Sequence, residues 1–230
     1  MAAEKTEFLR AVPLFGELPE PLLESLAELL VERSFKRGSA IFFEGDPGDA
    51  LYMIRSGTVK ISRVAEDGRE KTLAFFGKGE VFGEMALVDG GPRSAIAQAL
   101  DDTKLYALLR SDFLSLLAGN VELALGLIKV LSDRLRRTNA QLMDLVFRDV
   151  RGRVAHTLLD LAKIHGVPMK GGRMISMKLT HQEIANLVGT ARETVSRTFA
   201  ELQDSGIIRV EGRNIVLLDA TQLEGYAAGF

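Results

Sequence analysis

From Ala124 to Leu145 the residues Ala124, Ile128, Leu131, Leu135, Thr138, Leu142 and Leu145 fall alternately four and three apart. That is a heptad seam held for about three repeats, and it predicts a helix that pairs with a copy of itself. The rest of the chain must then be arranged about a two-fold axis. One seam position is polar: Thr138, with Asn139 next to it. Two readings are open at this point. A single polar core position fixes register at a cost in stability, or two subunits bring a hydroxyl and an amide to a shared ligand site.

The residues before this helix read differently. Pro13-Leu14-Phe15 and the run to Leu30 predict a short helical start, with Pro19 and Pro21 where a first turn tolerates proline and an apolar stripe at Leu22, Leu26 and Leu29-Leu30. From about Arg33 to Leu109 the runs Ala40–Phe43, Ala50–Ile54, Thr58–Val64, Lys71–Phe76 and Ala95–Leu109 are β-rich and punctuated by glycine. Even spacing with turn signals predicts a small antiparallel barrel or roll, with a hairpin at Asp67-Gly68 and a turn at Asp101-Asp102. Ser111 and Asp112 are candidate caps for a short helix, and the seam helix follows from about Val121.

Composition excludes several classes. No apolar run approaches the roughly 18–20 residues that span a membrane. The first ten residues carry Glu4, Lys5, Glu7 and Arg10 where a secretory signal has an apolar stretch, so a cytoplasmic protein is expected. With no cysteine there are no disulfides, cysteine-held iron–sulfur clusters or thiolate nucleophiles. The three histidines, His156, His165 and His181, are not at metal-ligand spacing, and no zinc site is expected. The net charge of −2 hides an asymmetry. Arg148 to Asn214 carries 11 Lys and Arg against 7 Asp and Glu, about +4, a mild sign of DNA contact.

Past the seam, Arg151 and Gly152 supply a hinge, and the domain boundary falls near Arg148. Val154–Ile164 predicts a helix that stops at His165-Gly166, before Pro168 and the Gly171/Gly172 turn. Thr180-His-Gln-Glu183 has the form of a capping box, and the helix it opens places Ile184 and Leu187 inward and breaks at Gly189. Thr190-Ala-Arg-Glu193 offers a second box, before a helix burying Val195, Phe199 and Leu202. Two helices joined by a tight glycine turn make a helix-turn-helix, whose second helix enters the DNA major groove. Arg192, Glu193, Ser196 and Arg197 lie on its other side, where Arg can grip guanine and Glu can accept from cytosine. Thr180 and Gln182, at the start of the first helix, complete the candidate DNA-binding set. Ile207–Val210, a turn at Gly212 and Ile215–Leu218 add a wing.

One segment of the β-rich half describes a pocket. Gly83-Glu-Met-Ala-Leu87 is followed, six positions on, by Arg93-Ser-Ala95. Gly83 permits close backbone approach, and the short helix behind it aims N–H groups at an anion. Arg93 neutralises one phosphate, and Glu84 is an acceptor for a sugar hydroxyl.

At these residues the sequence resembles the cyclic AMP receptor protein and FNR family of bacterial transcription regulators, over nearly its whole length. The resemblance implies an α+β chain: a cyclic-nucleotide-binding β-roll over residues 1–120, a dimerisation helix over 121–147 and a winged helix-turn-helix over 148–230. It implies cyclic AMP as allosteric ligand, with Arg93 and Ser94 on the cyclic phosphate beside Gly83, Glu84 on the ribose and Thr138 on adenine. Asn139 occupies the next position, where the best-known member has a Ser contributed across the dimer. Arg192, Glu193 and Arg197 match the Arg-Glu-x-x-x-Arg pattern of members reading TGTGA-type half-sites. His181 stands where the best-known member has Arg, and Ala191 where it has a phosphate-contacting Ser. A homodimer, double-stranded DNA and RNA polymerase are the implied partners.

Iron–sulfur sensing fails for want of ligands, and haem sensing is disfavoured because the sensor half has neither His nor Cys. An enzyme is not expected. Gly77-Lys-Gly-Glu80 lacks the spacing of a phosphate loop, and no nucleophile–base arrangement is readable. The rivals are a family member that binds DNA without ligand or answers another nucleotide such as cyclic GMP, and, more remotely, a cyclic-nucleotide-regulated enzyme subunit.

Overall fold

The structure, a computed structural model, describes residues 2–228; Met1 and the terminal Gly229-Phe230 lie outside the described residues. Two compact units emerge. One joins the chain through Gly68 to Leu73–Arg136, and the other joins Arg69–Thr72 to the residues from Arg137 onward.

In chain order, with β5 and α5 each divided between the two units, α1 (Ala2–Ala11) and α2 (Glu20–Leu29) precede β1 (Val31–Phe35), β2 (Ala40–Phe42), β3 (Ala50–Ser56), β4 (Val59–Val64), β5 (Glu70–Phe76) and β6 (Val81–Phe82). Then come α3 (Glu84–Asp89), β7 (Ile96–Ala99), β8 (Thr103–Leu109), α4 (Arg110–Gly119) and α5 (Val121–Phe147). Two four-stranded sheets, in the orders β1-β8-β3-β6 and β2-β7-β4-β5, form the roll. Strand alternation divides its core in two. Leu51 and Met53 of β3 pack with Leu9, Phe15, Leu26, Phe113, Leu123 and Leu127 in a helical layer. Ile54 faces Val59, Phe76, Phe82, Ala97 and Leu105 in the roll interior.

Some expectations shift by a residue or an element. The helical start is two helices. On α2 the buried positions are Leu23, Leu26 and Ala27, which pack in one cluster with Leu9 and Phe15, while Leu29 is exposed. The run Ala95–Leu109 is two strands. Asp101 breaks it by accepting the Thr58 amide at 2.8 Å, and Asp102 accepts the Arg37 amide at 3.1 Å. Helix α4 begins at Arg110 with Leu109 as its N-cap and no side-chain cap, so neither Ser111 nor Asp112 caps it. Among the described residues no single helix is long and apolar enough to cross a membrane.

The N-terminal half of α5 is anchored to the roll through Leu123 and Leu127, with Val130 and Leu131 packed against the same cluster. Ile128, Leu135 and Leu142, each seven residues from the next, are 57, 62 and 58% exposed. Leu145 and Phe147 are also open. A seam of large apolar side chains in water has the character of an interface and not of a solvated face.

The second unit contains α6 (Val150–His165), β9 (Gly166–Met169), β10 (Gly172–Ile175), α7 (His181–Val188), α8 (Arg192–Asp204), β11 (Ile208–Glu211), β12 (Asn214–Leu217) and α9 (Ala220–Ala228). Asp149 caps α6, accepting the Gly152 amide at 2.7 Å. The wing is larger than the sequence shows: β9 and β10 join it in a sheet of order β11-β12-β10-β9.

The Thr180 capping box forms in full. Its hydroxyl accepts from the Glu183 amide at 3.2 Å, while the Glu183 carboxylate accepts from the Thr180 amide at 2.5 Å. Such a cap contributes about 1 kcal/mol. Gly189 closes α7 with φ +76° and donates to Ala185 O at 2.8 Å, a left-handed turn that suits glycine. The second capping box does not form. Ala191 is the N-cap of α8, and the Thr190 amide donates back to Ala185 O, so Thr190 belongs to the end of α7. Leu187 is half-buried, and Ile184, Ala185 and Val188 face inward against Val195, Thr198, Phe199 and Leu202 of α8.

Candidate ligand pocket and nucleic-acid interface

The pocket is built where β6 runs into α3. Gly83 caps α3 with φ +84°, and a Cβ there would stand 2.6 Å from Arg93 Nη1, so both the turn and the approach of the guanidinium require glycine. Arg93 is 3% exposed. Its Nη1 donates to Gly83 O at 2.9 Å, and its Nη2 donates to Ala50 O at 2.9 Å and to Asp49 at 3.4 Å. The guanidinium lies 4.3 Å from the Phe42 ring centre and 5.6 Å from that of Tyr52. Burial lowers the Arg93 pKa, and Tyr52, Asp49, Glu84 and Asp46 act against that shift. Burial likewise raises the pKa of Tyr52.

Glu84 is 1% exposed. One carboxylate oxygen pairs with Arg134 of α5, which also donates to Val81 O and lies over the Phe76 ring at 4.8 Å. Four buried side-chain polar atoms among the described residues lack a hydrogen-bond partner, Ser62 Oγ, Thr72 Oγ1, Glu84 Oε2 and Arg93 Nε, and the last two belong to this pocket. A buried acceptor and a buried donor left open are costly unless something fills them. Their chemistry fits a nucleotide, with a phosphate oxygen for Arg93 and a ribose hydroxyl for Glu84.

Gly83, Glu84 and Arg93 therefore come together. Ser94 is exposed, with its hydroxyl 3.8 Å from Met85 Sδ. Thr138 and Asn139 are exposed on α5. Sequence reasoning missed Arg134 altogether. The available signal was its place four residues before Thr138, on the same helix face.

The helix-turn-helix presents Arg192, Glu193 and Arg197 to solvent. Arg192 and Ser196 are four apart, as are Glu193 and Arg197, giving two adjacent rows at the start of α8. Ser196 is half-buried, its hydroxyl 2.8 Å from His181 Nδ1. Gln182 is exposed and donates to Asn186 at 2.8 Å. Thr180 commits its hydroxyl to the cap, donating to Glu183 at 2.8 Å as well as accepting from it.

Residues 32–120 match the cyclic nucleotide-binding domain, and residues 152–226 match the Crp-like helix-turn-helix domain. Over 217 residues the chain is 40% identical to a CRP-like cAMP-activated global transcriptional regulator of Mycobacterium tuberculosis, covering 94% of this chain and 97% of that protein. Over 221 residues it is 38% identical to the cyclic AMP receptor protein of Thermus thermophilus, covering 96% and 99%. The solved structure of FixK2 from Bradyrhizobium japonicum aligns with a TM-score of 0.76 at 28% identity, over 86% of this chain and 96% of that one. The chain belongs to the CRP/FNR family of transcription regulators, and it is a DNA-binding member with a cyclic nucleotide-binding domain.

Proposed function

We propose that this protein is a homodimeric transcription regulator whose DNA binding is controlled by cyclic AMP and whose sites are palindromes of TGTGA-type half-sites. The observation that carries the ligand is the pair of open buried groups, Arg93 Nε and Glu84 Oε2, on residues that both adjoin the Gly83 turn. When bound, a cyclic nucleotide supplies a negative phosphate and a hydroxyl donor. Arg93 and Ser94 hold the phosphate, Glu84 takes the hydroxyl, and the base lies along the α5 face that carries Thr138, with Asn139 beside it. The names of the two relatives quoted above support cyclic AMP as the nucleotide.

The ligand shifts the DNA-binding state only by its differential affinity for the two arrangements of the protein. The ligand contacts at Thr138 and Asn139 reset the packing of the seam helices. The Arg148–Gly152 hinge passes that change to α8. Half-sites about 34 Å apart then meet the two recognition helices. Recruitment of RNA polymerase in the cytoplasm completes the reading.

Calorimetry with cyclic AMP and cyclic GMP tests the ligand: saturable binding of cyclic AMP, tighter than that of cyclic GMP, is expected, and no heat from cyclic AMP would sink it. For the DNA side, Arg192→Ala is expected to cost about 1–3 kcal/mol at one guanine and to relax discrimination there. Equal weakening on every sequence would make Arg192 a phosphate contact. The Arg134–Glu84 pair favours one second reading, DNA binding without ligand, because it ties α5 to the pocket through protein groups alone.

A further inference from the structure

His181 is the first residue of α7, and its imidazole lies against α8. Nδ1 is 2.8 Å from Ser196 Oγ, and the ring centre is 4.8 Å from that of Phe199 at an angle of 52°. Ser196 and Phe199 are three apart, so the ring covers one turn of α8. The same Ser196 stands one turn beyond Arg192 on the exposed row of that helix. A hydroxyl on such a row can face a base as donor or acceptor, and the imidazole is the group that fixes which way it turns.

We propose that His181 is a positioning residue of the DNA-reading surface: it orients the Ser196 hydroxyl beside Arg192 and makes DNA affinity depend on pH. The inference rests on the assignment of α8 as the helix that reads DNA. Burial, and then the positive charge of Arg192, lower the His181 pKa, so the ring of the free protein is neutral at neutral pH. Arg192 is the charged group that acts on it from α8. On its own helix, Glu183 is engaged by Thr180. DNA reverses the balance, since phosphates offset Arg192 and favour the imidazolium. DNA binding then takes up a proton, and affinity rises as pH falls. Protonation also leaves both ring nitrogens as donors, so Ser196 can only accept from the ring and its own O–H turns outward.

The test is fluorescence anisotropy of the full chain on a labelled palindromic TGTGA duplex between about pH 8 and pH 5, the span in which histidine titrates. Salt is held constant, and the titration is run with and without cyclic AMP. The wild type is expected to bind more tightly at low pH, with a slope of up to one proton per protomer that is shallower in His181→Gln. A double-mutant cycle with Ser196→Ala is expected to be non-additive, the double variant binding no more weakly than the weaker single one. A second measurement needs no variant: NMR titration of the His181 ring is expected to give a higher pKa with DNA bound than without. Equal slopes in wild type and His181→Gln, additive losses, or an unmoved ring pKa would each overturn the proposal. Absence of specific binding by the wild type at every pH would remove the α8 assignment itself, and this inference with it.

Discussion

Arg93→Ala is expected to lower cyclic AMP affinity by about a hundredfold or more, the effect of losing charge-assisted hydrogen bonds of about 1.5–3 kcal/mol each. The size follows from where the guanidinium sits. It is buried, one face lies on Phe42, and its two terminal nitrogens are already held by Gly83 O and Ala50 O. A ligand bound there would meet a donor already fixed and buried, with no arginine side chain to immobilise. The same bonds give the variant a second phenotype. With Arg93 gone, two carbonyls lose their donors, each at about 1–3 kcal/mol if left unpaired, so the ligand-free protein also melts lower. Calorimetry at a temperature where circular dichroism shows the variant folded separates the two effects. Arg93→Lys keeps the charge but not the planar fork, and intermediate affinity is expected of it. Unchanged affinity in Arg93→Ala would move the ligand elsewhere.

Leu135→Glu is expected to turn the dimer into monomer and to abolish binding to the palindrome. Leu135 stands between Ile128 and Leu142 at heptad spacing, all three exposed in the single chain. In a two-fold pair each of these residues meets its own copy across the axis. The substitution removes one leucine burial per chain, about 1.5–3 kcal/mol each, and sets two carboxylates face to face. A dissociation constant several orders of magnitude higher follows from the doubled loss. Leu135 is not part of either buried cluster, so the fold of each chain is kept. Sedimentation at micromolar concentration reads the outcome. A variant that stays dimeric would place the pairing surface off the seam.

Local patterns carried much of this architecture. The seam helix announces itself by heptad spacing and runs from Val121 to Phe147. The helix-turn-helix is legible because its first helix begins on a capping box and ends on a left-handed glycine, both short-range devices. What escaped is what the local spacing does not decide. Thr190 has the spacing of a cap, but its amide is taken by Ala185, and that choice is made in the turn between helices. Arg134 sits off the seam, where a charge normally means solvent; its engagement with Glu84 needs a residue 50 positions away. The sequence singles out Arg93 as a candidate for a phosphate, but its bond to Ala50, 43 residues back, was not legible. The β9–β10 hairpin was hidden because Gly166, Pro168, Gly171 and Gly172 crowd strands of four residues each with turn chemistry.

A cyclic nucleotide in the Gly83–Arg93 pocket is expected to control what α8 does on DNA. The most direct test is fluorescence anisotropy of a labelled palindromic TGTGA duplex titrated with the full chain at fixed salt, without nucleotide, with cyclic AMP and with cyclic GMP. Specific binding that tightens with cyclic AMP, and not with cyclic GMP, is the predicted result. Equally tight specific binding in all three conditions would contradict ligand control.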